Sequence, residues 1–398
     1  MKIPFNIRAP VFDANAINAT IQRALASAGL DTTTGPMHGV TETIRRALAG
    51  GRTAQADQRV DSEPAIDVAT RVMPDGADTV ATRDRGPPVN AARQRPGSFE
   101  AHAFSNDAGT RVYKVYIPAG SFDAPPAMIV MLHGCTQSAD DFAAGTQMNR
   151  LADEHGFLVV YPEQAARANA SKCWNWFKPQ DQLHGAGEPS LIAGIVGEVA
   201  RRHGADPRRI FVAGLSAGAA MAVVLGETYP ELFAGVGAHS GLPYGSAHDV
   251  PSALAAMKGG RSGMPALKNG PGAAGMPRRK AVQAVPVIVF HGDRDHTVQQ
   301  ANGAHIVQQA RDAHAAHRAV ADLQASTQSG VASGGRRFTS TTYHDTAGQT
   351  HIESWTLHGA GHAWSGGHAS GSYTDGAGPD ASAEMVRFFM SLPRARSA

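Results

Sequence analysis

"RIFVAGLSAGAAM", Arg209 to Met221, runs from an apolar tetrad into Gly214-Leu215-Ser216-Ala217-Gly218 and then into more small residues. The apolar part reads as a buried strand and the small residues as the start of a helix. A hydroxyl set between two glycines at such a corner has two explanations. In one, the glycines permit a sharp turn that lifts a reactive serine clear of the sheet. In the other, the corner is ordinary. With 44 glycines in the chain, the motif alone does not decide.

The surroundings of that corner decide more. Apolar runs recur at "AMIVMLHG", "GFLVVYP", "LFAGVGAHS" and "VPVIVFHG", with a last one near "HIESWTLHG". Segments of helical character such as "SLIAGIVGEVARRHG" lie between most of them. Short continuous apolar strands alternating with helices predict a mostly parallel sheet covered on both faces, here of about eight strands. "SFEAHAF" and "TRVYKVYIP", joined by "SNDAGT", predict an antiparallel hairpin at its edge. These elements compose an α/β-hydrolase pattern over residues 99–398.

A serine needs a base, and the base needs an orienting carboxylate. In this architecture the chain order is serine, acid, histidine. "VPVIVFHGDRDHTV" ends a strand and offers Asp293 and Asp295, and "HIESWTLHGAGHAWSGG" ends another and offers His358 and His362. Asp295 is the expected acid because it lies deeper in its loop. His362 is the expected base because it sits in a glycine-rich loop, whereas His358 falls at the end of the strand. Acyl transfer also needs two N–H donors for the oxyanion. Ala217, opening the helix after Ser216, and Cys135, in "LHGCTQ" after the third strand, are the expected pair.

Other chemistries lack their signatures. His314 and His317, and His358, His362 and His368, are spaced without an HExxH motif or a partnered Cys/His array, so no metal is expected. No phosphate-cradling or dinucleotide-type glycine loop stands out, and no cofactor is expected. Lys plus Arg, 36, against Asp plus Glu, 34, gives a net charge of +2, which offers nucleic acid or an anionic membrane no electrostatic handle. No apolar run approaches a membrane span. Two cysteines, Cys135 and Cys173, allow one bridge or two buried thiols.

Taken together, "LHGCTQSADDFAAGTQMNRLADEHGFLVVYPEQ", "CWNWF", "AGLSAGAAMA" and "GAGHAWSGG" resemble the polyhydroxybutyrate-depolymerase-type esterase family of α/β-hydrolases, from about Phe99 to the C-terminus. The resemblance implies a serine esterase acting on poly(3-hydroxybutyrate) or its oligomers, with Ser216, Asp295 and His362 as the triad. It also implies a Cys135–Cys173 bridge pinning the oxyanion loop to the tryptophan-bearing loop, and an apolar substrate groove lined by Trp174, Trp176 and Trp364. Related enzymes resemble feruloyl and acetylxylan esterases, which is the alternative substrate class. A non-enzymatic polyester-granule protein on the same scaffold is a further alternative.

Two segments stand outside this pattern. Asp13 to Ser98 contains no Phe, Tyr or Trp, so residues 1–98 are expected to build little core of their own. "TIQRALA" (Thr20 to Ala26) and "TIRRALA" (Thr43 to Ala49) predict two short helices there, with a granule or partner protein as the expected contact, followed by a Pro/Gly/Arg linker. Residues 251–284 form a Gly/Pro-rich insertion, expected as a surface loop. "MKIPFNIRAPVFDANAINAT" shows no continuous apolar core of a signal peptide, which favours the cytoplasm, whereas the resemblance implies secretion.

Overall fold

The computed structural model of the chain describes residues 97–259, 284–316 and 323–393. All of them belong to the second of its two units, Gly86–Ala398. The two N-terminal helices, the linker, residues 260–283 of the insertion and His317 lie outside the described residues.

The chain enters through a hairpin of β1 (Ser98–Asn106) and β2 (Gly109–Ile117). It continues through β3 (Met128–Leu132), the helices α1 (Ala139–Thr146) and α2 (Met148–His155), and β4 (Leu158–Glu163). Next come α3 (Gly187–His203), β5 (Ile210–Leu215), α4 (Ala217–Thr228), β6 (Gly235–His239) and α5 (Val250–Met257). Then follow β7 (Val287–Gly292), α6 (Ala301–Ala316), β8 (Gln324–Val331), β9 (Arg337–His344) and β10 (Thr350–Leu357). The pair β11 (Trp364–Ser365) and β12 (Thr374–Asp375) precedes the last helix, α7 (Ala381–Ser391).

The main sheet has ten strands in the order β1-β2-β4-β3-β5-β6-β7-β10-β9-β8. From β4 to β10 the neighbours run parallel, and both edges are antiparallel. The parallel order follows the expectation, but the count of about eight falls short by the β8–β9 hairpin. "QASTQSGV" and "RFTSTTYH" hold few apolar side chains and pair partly through hydroxyls, Thr327 with Thr341 and Ser329 with Thr339. Nearly all of β8 is exposed, so no hydrophobic period marks it. The expected insertion likewise begins as helix α5, capped by Asp249, which accepts a bond from Ser252 N–H.

The central strands β3, β5 and β7 are buried along their whole length, as strands covered on both faces must be. One face packs on α3, α4 and α6, and the other on α1, α2 and α7. Glycines in β6 admit the last helix. A Cβ at Gly237 would lie 2.8 Å from Met385 Sδ and 2.9 Å from Ala213 Cβ. Among the described residues, no helix is long and apolar enough to cross a membrane.

Candidate active site

Ser216 sits between the last residue of β5 and the first of α4, with φ 58° and ψ −119°. A β-carbon disfavours this left-handed region, and such residues persist only where the surroundings enforce them. Here the glycines do the enforcing. A Cβ on Gly218 would lie 2.1 Å from Leu132 O, and one on Gly214 would lie 2.5 Å from Gly218 C. Both glycines let strand and helix backbones touch, and the serine takes the tight turn they leave.

Backbone hydrogen bonds lace the strand ends together beyond the sheet. Ser216 N–H donates to His239 O at 2.9 Å, and Ser240 N–H to Phe290 O at 2.9 Å. Asp293 N–H donates to Leu357 O at 3.1 Å and Arg294 N–H to Ala360 O at 3.0 Å. The turns after β5, β6, β7 and β10 are therefore held as one rim, at the carboxyl ends of the strands.

On this rim His362 Nδ1 meets Asp295 Oδ2 at 2.7 Å. The Asp295 side chain is fully buried, and its other oxygen accepts from Thr297 N–H at 3.0 Å and Val298 N–H at 2.8 Å. Burial would raise its carboxyl. The bonds from His362 and Val298, with the His291 ring nearby, outweigh it and hold the group below its usual range. Since the carboxylate can only accept, Nδ1 carries the proton of this bond and Nε2 is the ring nitrogen left for another partner. His291 adds support: its Nε2 donates to Val298 O at 2.8 Å and stands 3.6 Å from Asp295 Oδ2.

Asp293, the rejected acid, makes a second pair. His358 Nδ1 meets Asp293 Oδ2 at 3.0 Å, Gly359 N–H donates to its other oxygen at 2.6 Å, and Thr339 Oγ1 lies 2.9 Å from His358 Nε2. Both ring nitrogens of His358 are engaged. The remaining histidines of the sequence cluster scatter as well: His368 Nδ1 is bonded with Ser370 Oγ at 2.8 Å, and His314 packs against His351.

Ala217 opens α4, so its N–H is one of those no earlier helical turn can accept. Across from it, the loop after β3 is tightly used. Gly134 N–H donates to Gln137 Oε1, Gln137 N–H to Gly134 O, and Thr136 N–H to Ser171 O. The Cys135 N–H between them has no acceptor among the described residues. A disulfide joins Cys135 to Cys173. Buried His133 braces the same loop, its Nε2 accepting from Gln164 N–H at 3.0 Å and its Nδ1 bonded with Gly134 O. Gln137 Nε2 donates to Asp141, whose carboxylate also accepts from Ser372 N–H at 2.9 Å, joining this loop to the one beyond His362.

The tryptophans correct the expectation. Trp174 and Trp364 do not line a groove, being 0% and 1% exposed. Trp364 packs edge-on to Phe142 and gives its N–H to Ser382 Oγ at 3.1 Å, and Trp174 packs on His133. An indole stabilises most when its whole face is sealed, and the core outbids the surface for both rings. Trp176 is nearly as buried, edge-on to Phe177. An exposed aromatic near the loop after β3 is Tyr373, missed in the sequence. It has φ 53°, and its hydroxyl is 3.4 Å from that of Thr136, itself at φ 68°.

Residues 111–328 match the family model described as Esterase PHB depolymerase. The chain belongs to that family. Within the Esterase PHB depolymerase family and its relatives, the chain is 36% identical over 203 residues to poly(3-hydroxyalkanoate) depolymerase C of Paucimonas lemoignei, covering 50% of this chain and 47% of that one. It is 38% identical over 141 residues to feruloyl esterase B of Neurospora crassa, covering 35% and 47%. To acetylxylan esterase A of Aspergillus oryzae it is 35% identical over 165 residues, covering 40% and 52%. The chain spans about half the length of the curated relatives it matches. The solved acetyl xylan esterase from Aspergillus awamori aligns with a TM-score of 0.54 at 20% identity, over 74% of this chain and 100% of that one. That likeness shows the α/β-hydrolase fold.

Proposed function

We propose that this chain is a serine carboxylic ester hydrolase that cleaves poly(3-hydroxybutyrate) or its oligomers through an acyl-enzyme. The observation that carries the reading is the buried Asp295–His362 pair at 2.7 Å, on the same laced rim as the strained Ser216 turn. Asp295 fixes the His362 tautomer so that Nε2 takes the Ser216 Oγ proton as Oγ attacks the ester carbonyl. The N–H groups of Ala217 and Cys135 receive the oxyanion, and the helix start adds its positive end. Collapse of the tetrahedral species expels the alcohol, protonated by His362. Water then repeats the sequence on the acyl-Ser216 ester, and the acid leaves.

The Cys135–Cys173 bridge ties the oxyanion donor to the loop carrying Trp176, and Tyr373 with Thr136 forms the exposed edge beside it. We assign the ester chain to that edge in place of the sealed Trp174 and Trp364. A second reading, feruloyl or acetylxylan ester cleavage, is favoured by the identities to those relatives. The test is release of 3-hydroxybutyrate, ferulate and acetate by one preparation from its three substrates, with Ser216→Ala as control. The proposal expects 3-hydroxybutyrate release to dominate and to vanish in Ser216→Ala. Turnover retained in that variant overturns the mechanism, and dominant ferulate or acetate release overturns the substrate.

A further inference from the structure

We infer that His239, which no sequence motif marks, is a positioning residue that holds the Ser216 turn and the His362 loop in one frame. The inference rests on the ester-hydrolase reading. His239 closes β6, the strand between those that lead to the serine and to the acid. Its carbonyl accepts the Ser216 N–H at 2.9 Å. Its imidazole Nε2 accepts the Ser365 N–H at 3.0 Å, just past His362 in the chain. The His362 loop is thus tied at both ends, at Ala360 by Arg294 N–H and at Ser365 by His239.

The chemistry of the ring fits that task. An amide N–H can only donate, so Nε2 is the unprotonated nitrogen and Nδ1–H faces Ser240 Oγ at 3.3 Å. The ring is stacked between Phe290 and Trp364, at 5.8 and 5.2 Å, and both His239 and Ser365 are 0% exposed. Without this acceptor the buried Ser365 N–H would be left unpaired or the loop would have to move. The titratable groups facing the ring are His291, His362 and Asp295. Burial, then the two histidines, push its pKa down to about 3 against the opposing Asp295, so Nε2 remains an acceptor while the enzyme works. The site is fully buried, so the ring nitrogen is what keeps the Ser365 N–H paired.

The test compares His239→Phe, which keeps the stacked ring and removes the acceptor, with His239→Gln, which places an oxygen near Nε2. A 1 Å misplacement of a catalytic group can cost about a hundredfold. In His239→Phe, kcat on a soluble p-nitrophenyl ester should fall by about that factor with KM little changed. The downfield proton resonance of the His362–Asp295 bond should broaden. In His239→Gln, both kcat and the resonance should recover to within about fivefold of the parent protein, the residual loss being far below the hundredfold scale. Parental kcat in His239→Phe overturns the inference. So do equal losses in two folded variants, or failure of both to fold, since the residue would then be structural only. If only the phenylalanine variant fails to fold, the glutamine variant decides: active supports, folded and inactive overturns. Ser216→Ala, run in parallel, separates the two readings. If it keeps turnover, the hydrolase reading falls. If it loses turnover while His239→Phe keeps it, only the role of His239 falls.

Discussion

Asp295 meets His362 at 2.7 Å, and two residues earlier Asp293 meets His358 at 3.0 Å. The partners are chemically the same and lie on the same two loops. They differ in setting. Asp295 and His362 side chains are 0% and 13% exposed, against 31% and 35% for Asp293 and His358. Asp295 spends one oxygen on two amides of its own turn and keeps the other for the histidine, whose Nε2 has no partner among the described residues. Asp293 instead braces the Gly359 amide, and its histidine spends Nε2 on Thr339. The proposed catalytic pair thus differs from its neighbour in a desolvated carboxylate and in a ring nitrogen with no second partner among the described residues.

The widest contrast should come from removing each charge in turn. Asp295→Asn should lower kcat/KM on the order of 10³–10⁴-fold, because the amide supports the wrong imidazole tautomer. Asp293→Asn should stay within about threefold, as a surface change away from the chemistry. Steady-state kinetics on p-nitrophenyl butyrate decide the matter. A reversal of the two effects would move the site to the Asp293–His358 pair.

A smaller effect should follow from loosening the support of Asp295 alone. His291→Leu removes the donor to Val298 O and the ring beside Asp295 Oδ2. We expect kcat to drop about tenfold, short of the full cost of a 1 Å misplacement, with KM little changed. The Asp293 pair has no such buried buttress, so the equivalent substitution Thr339→Val should leave kcat unchanged. A loss in Thr339→Val as large as in His291→Leu would erase the distinction.

This asymmetry was only partly legible in the sequence. The parallel strands could be read because burial on both faces leaves an unbroken apolar run, as in "MIVML" and "VIVFHG". The Ser216 corner could be read because only glycines fit at 214 and 218; loop depth pointed to Asp295, and a glycine-rich loop to His362. The β8–β9 hairpin could not, since an exposed edge strand of Ser, Thr and Gln carries no hydrophobic period. His239 and His291 could not either, since a histidine ending an apolar strand looks the same in sequence whether its ring is buried or free. Trp174 and Trp364 misled for the converse reason. Nearness to a motif in sequence says nothing about which way an indole packs.

Acid should separate the pairs again, more gently. Both carboxyls are held below their usual range, burial opposing and hydrogen bonds prevailing in each. A depressed pKa contributes stability that is present above the unfolded value, about 3.9, and is lost as pH falls through the folded one. The melting temperature should therefore decline below about pH 4. Asp295→Asn should flatten that acid limb more than Asp293→Asn, because the Asp293 pair is partly solvated and screened. Melting curves between about pH 6 and 3, a range that brackets the ordinary carboxyl value, would show it. Equal flattening would mean that burial does not distinguish the two carboxylates.

The smallest effect concerns the Asp293–His358 pair at neutral pH. A side-chain contact so exposed is worth at most about 1 kcal/mol, and His358→Ala leaves Asp293 its bond from Gly359 N–H. The variant should lose no more than that from its unfolding free energy, and its kcat should match the parent. Denaturant melts and kinetics on one preparation test both. A loss of several kcal/mol would show that His358 clamps the β9–β10 edge through Thr339, and the Asp293–His358 pair would then be structural in a stronger sense than its exposure suggests.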